Sequence, residues 1–428
     1  MVNSIPSNFF LKVSNFFSSR ISSLLISFLL IIFSFSYGFS QNNWDQFRGE
    51  SRNGSVNIPE STMRWIDPVM LWNKEIGSGF SEVVIADDII YLMMAEMTDS
   101  ITGHEILVAM NSLNGEILWK TPVDTVFIDV DDWGDGPRST PAVDDEAVFC
   151  LSASGKLVAV ARSGGEVMWE VDFTSQYGST IPRWGYSTSP LLYQDLVIME
   201  LGGTDNHGFA AFSKADGNLR WNAGNANSAY NSPVMIKING KHQLIFTNGP
   251  TLNSLSTDGD SLWSYAMPIR SPMAIPLFIE PDLLFVSAAN HAGSFIVRIN
   301  DEGPEEVMRS SLMRNDWSSS CYRDGYIYGF NVATLQCIDA TTGQRIWLKR
   351  GFGKGSLILV NDRLFVLSDL GVLTVVEATP EEYREISTTE ALEGRSWTAP
   401  SFSKGRLFLR NHTRLSIYQI MEPADLGG

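Results

Sequence analysis

A bulky aromatic or cationic residue, followed by a residue that forms hydrogen bonds, recurs along this chain of 428 residues. The pairs are Phe80-Ser81, Arg138-Ser139, Tyr186-Ser187, Tyr230-Asn231, Trp317-Ser318 and Trp397-Thr398, and Arg183, Trp184, Lys354 and Arg395 lie nearby. Aromatic faces stack on flat rings and on sugars, and guanidinium groups pair with carboxylates. If one fold gathers these residues, they predict a site for a flat anionic ligand or for a sugar.

A second group of chemically active residues is acidic. Asp129, Asp131, Asp132 and Asp135 crowd one segment before Gly136. Oxygen ligands suit calcium, but the spacing differs from that of the Asp-x-Asp-x-Asp-Gly calcium loop, so the sequence favours a solvated acidic loop. The histidines show no zinc spacing, and no Gly-x-Ser-x-Gly nucleophile motif occurs. We therefore predict no catalytic and no metal-binding residue.

The elements that must position these residues are repeats. A strand–turn–strand phrase from Leu107 to Trp119 contains Asn114-Gly115, a strong signal for a tight hairpin turn. The Gly-x-x-x-Trp spacing returns at Gly165 and Trp169, Gly217 and Trp221, Gly259 and Trp263, and Gly343 and Trp347. A repeat at this spacing indicates an array of similar sheets. We expect each tryptophan to pack between neighbouring sheets as part of the core.

Each repeat also has an opening, at which a small or apolar residue begins a strand–turn–strand unit. The openings are Ser81, Ser139, Ser189, Ser232, Ile275, Ser319, Ser356 and Ala399. Irregular hairpins before Met308 and Ile386 complete two further repeats, so seven fourth strands serve eight openings. The unassigned segment Val69–Trp72 is expected to supply the missing fourth strand to the last sheet, which closes the ring and removes its open edge.

The resulting prediction is an all-β fold, an eight-bladed β-propeller of four-stranded antiparallel blades over residues 41–420, followed by a tail at 421–428. Cys321 and Cys337 fall in the first and third strands of one blade, roughly 9–10 Å apart, which is too far for a disulfide. With Cys150 they make an odd, sparse count. We expect three buried free thiols.

Residues 1–40 are predicted to be a secretory signal peptide. Lys12 and Arg20 precede an apolar run from Ile21 to Phe39, and small residues flank a cleavage site before Gln41. An uncleaved membrane anchor is the alternative. The net charge of −17 disfavours nucleic acid and anionic membranes as partners. We expect an exported monomer, periplasmic or extracellular, that contacts a membrane only if the signal segment remains attached.

The repeat, seen clearly from Cys337 to Trp347, resembles the pyrroloquinoline-quinone-type propeller repeat, Ala-x-Asp-x-x-Thr-Gly-x-x-x-Trp. This repeat is shared by eight-bladed quinoprotein dehydrogenases and by non-catalytic propellers similar to the BamB-type outer-membrane assembly factor. The phrases Trp44–Gly49, Arg183-Trp184-Gly185 and Gly351–Ser356 resemble a group of exported bacterial proteins described as PQQ-binding-like. The resemblance covers nearly the whole chain after residue 40.

The dehydrogenase branch implies pyrroloquinoline quinone (PQQ), calcium held by Glu, Asn and Asp oxygens, an Asp base and, in many members, two adjacent cysteines. In this sequence no two cysteines are adjacent, and Asn231, Asn315 and Asp316 are ligand candidates without a matching family motif. The haem motif Cys-x-x-Cys-His is also missing. We therefore favour a non-catalytic binding or scaffold protein for an envelope protein or a carbohydrate. The alternative is a PQQ-dependent alcohol or sugar dehydrogenase, with or without calcium, whose cofactor lies in the central channel.

Ligands of propellers bind in or near the central channel. The predicted ligand-binding residues at its rim are Arg138, Arg183, Trp184, Tyr186, Tyr230, Asn231, Asn315, Trp317, Lys354, Arg395 and Trp397. The competing interpretation is that these side chains only fill the mouth of the channel and pack there.

Overall fold

The computed structural model describes residues 43–59, 61, 63–226, 230–268, 273–289 and 293–423. The predicted signal peptide and residues 424–428 of the predicted tail lie outside these residues, so both assignments stay predictions. Strand β33 includes residues 421–423. A five-residue helix, α1 (Phe173–Tyr177), is capped by the Asp172 carboxylate at its start. Within the described part of the chain, no helix has the length and apolar character needed to cross a membrane.

The strands form eight sheets, and two strands precede the first complete sheet: β1 (Ser55–Val56) and β2 (Met63–Glu75). The first blade contains β3 (Val84–Ala86), β4 (Ile89–Met97), β5 (Gly103–Asn111) and β6 (Ile117–Thr125). The second contains β7 (Ala142–Val143), β8 (Ala147–Leu151), β9 (Lys156–Ala161) and β10 (Val167–Asp172). The third contains β11 (Leu191–Tyr193), β12 (Leu196–Glu200), β13 (Phe209–Ser213) and β14 (Leu219–Ala223).

The fourth blade contains β15 (Val234–Ile238), β16 (Lys241–Asn248), β17 (Thr251–Leu255) and β18 (Ser261–Ala266). The fifth contains β19 (Leu277–Ile279), β20 (Leu283–Ala288), β21 (Gly293–Asn300) and β22 (Gly303–Ser310). The sixth contains β23 (Cys321–Arg323), β24 (Tyr326–Asn331), β25 (Thr334–Asp339) and β26 (Arg345–Lys349). The seventh contains β27 (Ser356–Val360), β28 (Arg363–Leu367), β29 (Val372–Glu377) and β30 (Glu385–Glu390), and the eighth β31 (Ser401–Ser403), β32 (Arg406–Arg410) and β33 (Arg414–Pro423).

The eighth blade closes the ring as predicted. Its strand order is β2-β33-β32-β31, and β2 pairs antiparallel with β33 from Met63 opposite Pro423 to Glu75 opposite Arg414. The predicted segment Val69–Trp72 lies within β2. The eight-bladed all-β prediction is therefore confirmed, and the edge of the last blade is covered by the start of the chain.

The seventh blade differs from the four-stranded expectation. Strand β1 pairs in parallel with β27, the innermost strand of that blade, so this sheet has five strands. This pairing was not predicted, because two residues in a segment rich in Asn, Ser and Gly show no strand pattern.

The repeated tryptophans Trp119, Trp169, Trp221 and Trp347 bond to the next blade, in line with the predicted packing between blades, whereas the indole nitrogen of Trp263 donates to Gln243 of its own blade. The indole nitrogen of Trp119 donates to the carbonyl of Arg162 in the second blade, and that of Trp169 donates to Lys214 in the third. Gly165 of the next hairpin lies under the ring of Trp119, where a Cβ atom would come within 2.9 Å, and its φ of +84° also favours glycine. The Gly-x-x-x-Trp spacing thus builds the joint between one blade and the next.

A belt of hydrogen bonds joins the innermost strands around the channel. In each link a side-chain hydroxyl or amide at one opening bonds to the backbone at a neighbouring opening. The links are Glu82 N to Thr140 Oγ1, Thr140 N to Ser189 Oγ, Ser189 N to Ser232 Oγ, Asn231 Nδ2 to Ala274 O, Ile275 N to Ser319 Oγ, Ser356 Oγ to Thr398 O and Thr398 Oγ1 to Phe80 O. This belt explains why hydroxyl residues dominate the openings.

The cysteines are free and buried, as expected. Burial raises the pKa of the Cys150 and Cys321 thiols, and it raises that of Cys337 to about 12. Neutral thiols of this kind pack as small apolar side chains.

Candidate functional site

One end of the central channel is closed by the segment Trp44–Ile58, here termed the plug. It bonds to innermost strands of several blades: Trp44 pairs with Ile85 of the first blade, and Asp45 accepts from Val143 N of the second. Strand β1 within the plug holds the seventh blade. The plug therefore crosses the channel and leaves the opposite end as the mouth.

Two buried arginines fix the plug. Arg48, only 2% exposed, donates to the carbonyl of Leu357 in the seventh blade at 2.9 Å and to Ser319 and Ser320 in the sixth at 3.4 Å. It thereby bridges the two blades between which the belt described above has no link. Arg52 donates to the carbonyls of Pro190 at 2.7 Å and Ser189 at 3.2 Å.

The space between the plug and the mouth is a cavity of about 410 Å³, a volume typical of small-molecule sites. Its floor is formed by Phe47 and Arg48 of the plug and by Glu82. Its aromatic wall consists of Phe80, Trp133, Trp184, Tyr230, Trp317 and Trp397. Its hydroxyl groups belong to Thr140, Ser187, Ser232, Ser318, Ser319, Ser356 and Thr398.

The aromatic wall contains two clusters. In the larger one Trp397 lies 4.6 Å from Trp317, 5.8 Å from Trp133 and 6.1 Å from Phe80, measured between ring centroids. In the smaller one Trp184 lies 5.2 Å from Tyr230. The cavity therefore offers several ring faces in different orientations.

The charges that line the cavity balance. Arg138 pairs with Asp129 at 2.6 Å, and Lys354 pairs with Asp316 at 2.7 Å while its ammonium lies 4.3 Å from the centre of the Trp317 ring. At the floor the Glu82 carboxylate accepts from the backbone N–H of Arg48 at 2.9 Å. Burial raises the pKa of Glu82 to about 7, and the charge of Arg48 opposes this shift.

Two polar atoms of the wall are buried without a hydrogen-bond partner among the described residues. They are the indole nitrogen of Trp317 and the hydroxyl of Ser318. Buried polar groups are nearly always hydrogen-bonded, so these two atoms are unusual, although they lie within the wall and are not exposed to the cavity.

The structure brings together six of the predicted ligand-binding residues. Arg138, Trp184, Tyr230, Trp317, Lys354 and Trp397 line the cavity. Two more lie beside it: Arg183 pairs with Asp131 at 2.6 Å, and Arg395 stacks on the Trp397 ring at 4.6 Å. The role of these residues in binding stays a prediction.

The other three predicted residues do not line the cavity. Tyr186 is fully buried and donates to the carbonyl of Leu201, Asn231 belongs to the belt, and Asn315 donates to the carbonyl of Phe330. The lining residues Tyr230 and Trp397 come four residues before the first strand of their blades, whereas Tyr186 comes five residues before β11 and Ser187 takes the lining position there.

Several cavity residues were not predicted as ligand contacts from the sequence. Phe47 and Arg48 belong to the plug, Glu82 follows an opening, and Trp133 lies in the acidic segment. Only Trp133 had a local signal, because an exposed tryptophan among four aspartates is unusual for a purely solvated loop.

The cations that line the cavity already have partners, which disfavours PQQ as its ligand. Within the described residues, no group of three or more His, Cys, Asp or Glu is placed to hold a metal ion. The lining cations Arg138 and Lys354 already pair with carboxylates, and Arg48 is committed to carbonyls, which leaves none of them free for the carboxylates of PQQ. None of the three cysteines lines the cavity.

Comparison with known proteins confirms the predicted resemblance. Residues 103–302, just under half of the chain, match the family model described as outer membrane protein assembly factor BamB. A search among curated protein sequences finds no match.

Solved structures share the architecture. BamB from Moraxella catarrhalis is 14% identical with a TM-score of 0.57, covering 84% of this chain and 98% of that one. A europium-containing methanol dehydrogenase is 10% identical with a TM-score of 0.62, covering 89% and 99%. The quinohemoprotein alcohol dehydrogenase from Comamonas testosteroni is 10% identical with a TM-score of 0.63, covering 90% and 82%. At these identities the likeness shows the propeller fold alone.

Proposed function

We propose that this protein is an exported, non-catalytic propeller that binds a neutral saccharide at the mouth of its central channel. The observation that carries the proposal is the combination of an aromatic wall with balanced charge in one cavity. The family match to an outer membrane assembly factor supports a location in the cell envelope.

The chemistry of the wall suits a sugar better than an anion. Aromatic faces pack against the C–H groups of a sugar ring, and paired carboxylates and cations exchange hydrogen bonds with hydroxyl groups. An anionic ligand would have to break the pairs Arg138–Asp129 and Lys354–Asp316. The released carboxylates would then lie beside the anion without their cations, which is unfavourable.

Isothermal titration of the purified protein with glucose, galactose, maltose, cellobiose and N-acetylglucosamine tests the proposal. Trp397→Ala removes the ring at the centre of the larger cluster, so we expect the dissociation constant of the sugar that binds to rise at least about tenfold. Trp65→Ala is the matched control, because Trp65 lies on β2 and does not line the cavity.

Glucuronate, and PQQ with and without calcium, are titrated in parallel. Absence of any sugar binding overturns the proposal. Saturable quinone binding that Trp397→Ala abolishes would instead support the dehydrogenase alternative.

A further inference from the structure

The connection between the first and second blades carries a loop, Phe127–Arg138, here termed the mouth loop, that reaches blades to which it is not joined in sequence. On one side Asp131 accepts from Arg183 Nε and Nη2, both at 2.6 Å, and from the indole of Trp184 at 2.7 Å. These two residues precede the third blade. On the other side Arg395, which precedes the eighth blade, donates to the carbonyl of Trp133.

The base of the mouth loop is rigid. Arg138 donates to the Asp129 carboxylate at 2.6 Å and to the carbonyls of Gly134 at 2.9 Å and Gly136 at 2.7 Å. Asp129 is fully buried, and its other oxygen accepts from backbone N–H groups of the tip, those of Asp131 and Trp133. Internal bonding of this kind makes the loop rigid within itself.

The tip is held by exposed groups. The Arg183 side chain is 65% exposed, and the Trp133 side chain, which lines the cavity, is 45% exposed. Hydrogen bonds from Arg183 and Trp184 hold the pKa of Asp131 at about 2, so this carboxylate stays charged at ordinary pH. Exposed ion pairs are weak and are screened by salt, in contrast to the buried pair at the base.

We propose that the mouth loop is a lid that opens to admit a ligand and closes Trp133 over it, and that the contact of Asp131 with Arg183 and Trp184 is the latch. The inference deepens the proposed saccharide site and rests on it for the identity of the ligand. Because the plug closes the other end of the channel, a ligand enters past this loop. Lids of this type commonly set the rates of binding and release.

The test uses stopped-flow kinetics with two probes: prodan, a neutral fluorescent aromatic compound, and cellobiose. Arg183→Gln removes the ion pair of the latch, and Arg298→Gln is the matched control, since Arg298 forms an exposed ion pair with Asp282 in the fifth blade. We expect Arg183→Gln to raise the association and dissociation rates about fivefold or more, with the control unchanged. Salt raised from about 0.05 M to about 0.5 M should accelerate the wild type and leave Arg183→Gln unaffected.

Equal rates in the wild type and Arg183→Gln overturn the lid. If neither probe enters, the hydrogen exchange of amides 127–136 is measured instead. Exchange about threefold faster in Arg183→Gln than in both the wild type and the control supports the lid, and equal exchange overturns it. The two proposals fail separately. If prodan enters faster in Arg183→Gln and no sugar binds, the lid is supported and the saccharide proposal is overturned. If a sugar binds at rates that Arg183→Gln does not change, the saccharide proposal is supported and the lid is overturned.

Discussion

The two ends of the central channel use the same residue types for opposite purposes. At the closed end Arg48 and Arg52 are buried and donate mainly to backbone carbonyls of the innermost strands. At the mouth Arg138 and Lys354 pair with carboxylates and border a cavity. The guanidinium of Arg48, bound to carbonyls of two neighbouring blades, holds the ring together, whereas a carboxylate-paired cation beside open space keeps the charge of the cavity balanced. Whether an arginine or a lysine serves the scaffold or the site therefore depends on its burial and on its partner, and not on its residue type.

Removal of the Arg48 guanidinium at the closed end has the largest expected effect. Arg48→Met leaves the carbonyls of Leu357, Ser319 and Ser320 without this donor and removes the positive charge beside the buried Glu82, so we expect the free energy of unfolding to fall by about 3–5 kcal/mol. Chemical denaturation measures this change. Arg298→Met, which breaks an exposed ion pair, should cost less than about 1 kcal/mol. A loss below about 1 kcal/mol for Arg48→Met would mean that the plug is dispensable to the ring.

The pH dependence of the free energy of unfolding tests the role of Glu82 at the floor of the cavity. Burial raises the pKa of Glu82 from 4.5 to about 7, so the folded protein holds this proton more tightly than the unfolded chain does. The contribution of Glu82 to stability is therefore fully present below about pH 4.5 and is lost as the pH rises through about 7.

Glu82→Gln removes this dependence. Relative to the wild type, the variant should gain about 2–3 kcal/mol in unfolding free energy between pH 4.5 and pH 7.5. Denaturant titrations across that range measure the difference. The exposed Glu116→Gln should track the wild type at every pH, and a Glu82→Gln curve parallel to the wild type would contradict the assignment.

The smallest expected effect concerns charge balance at the mouth. Asp316→Asn leaves Lys354 without its carboxylate and gives the lining a net positive charge. We expect glucuronate to bind about tenfold more tightly than it binds the wild type, equivalent to about 1.4 kcal/mol, while a neutral sugar changes less than about twofold. Calorimetry with both ligands measures this. Asp282→Asn, in the exposed pair of the fifth blade, is the control, and equal glucuronate affinity in both variants would show that charge balance does not select the ligand.

Much of the scaffold was predictable because its signals are local and repeated. A turn glycine four residues before a tryptophan marks the hairpin, and the unpartnered segment Val69–Trp72 was recognisable because one blade lacked a strand. The plug was not predictable, since Arg48 finds its acceptors at Ser319, Ser320 and Leu357, far along the chain. No sequence pattern encodes a bond between an arginine and distant carbonyls.

The site was predictable in part for a related reason. The position just before each blade places Tyr230 and Trp397 in the cavity, but a one-residue change in spacing moves Tyr186 into the core and leaves Ser187 at the lining position. Partners that join different blades, such as Asp316 with Lys354, depend on how neighbouring blades meet. The spacing within one repeat therefore predicts which residues approach the channel, but it does not predict which of them contact each other.

The pairing of β2 with β33 also sets an order of events during synthesis. Met63 lies opposite Pro423, so one of the first strands of the propeller to leave the ribosome has no partner until nearly the whole chain has been made. Pairings this distant in sequence form slowly, and an unpaired edge invites association with other chains. For this molecule β2 must be kept from the wrong partner until β33 has been made.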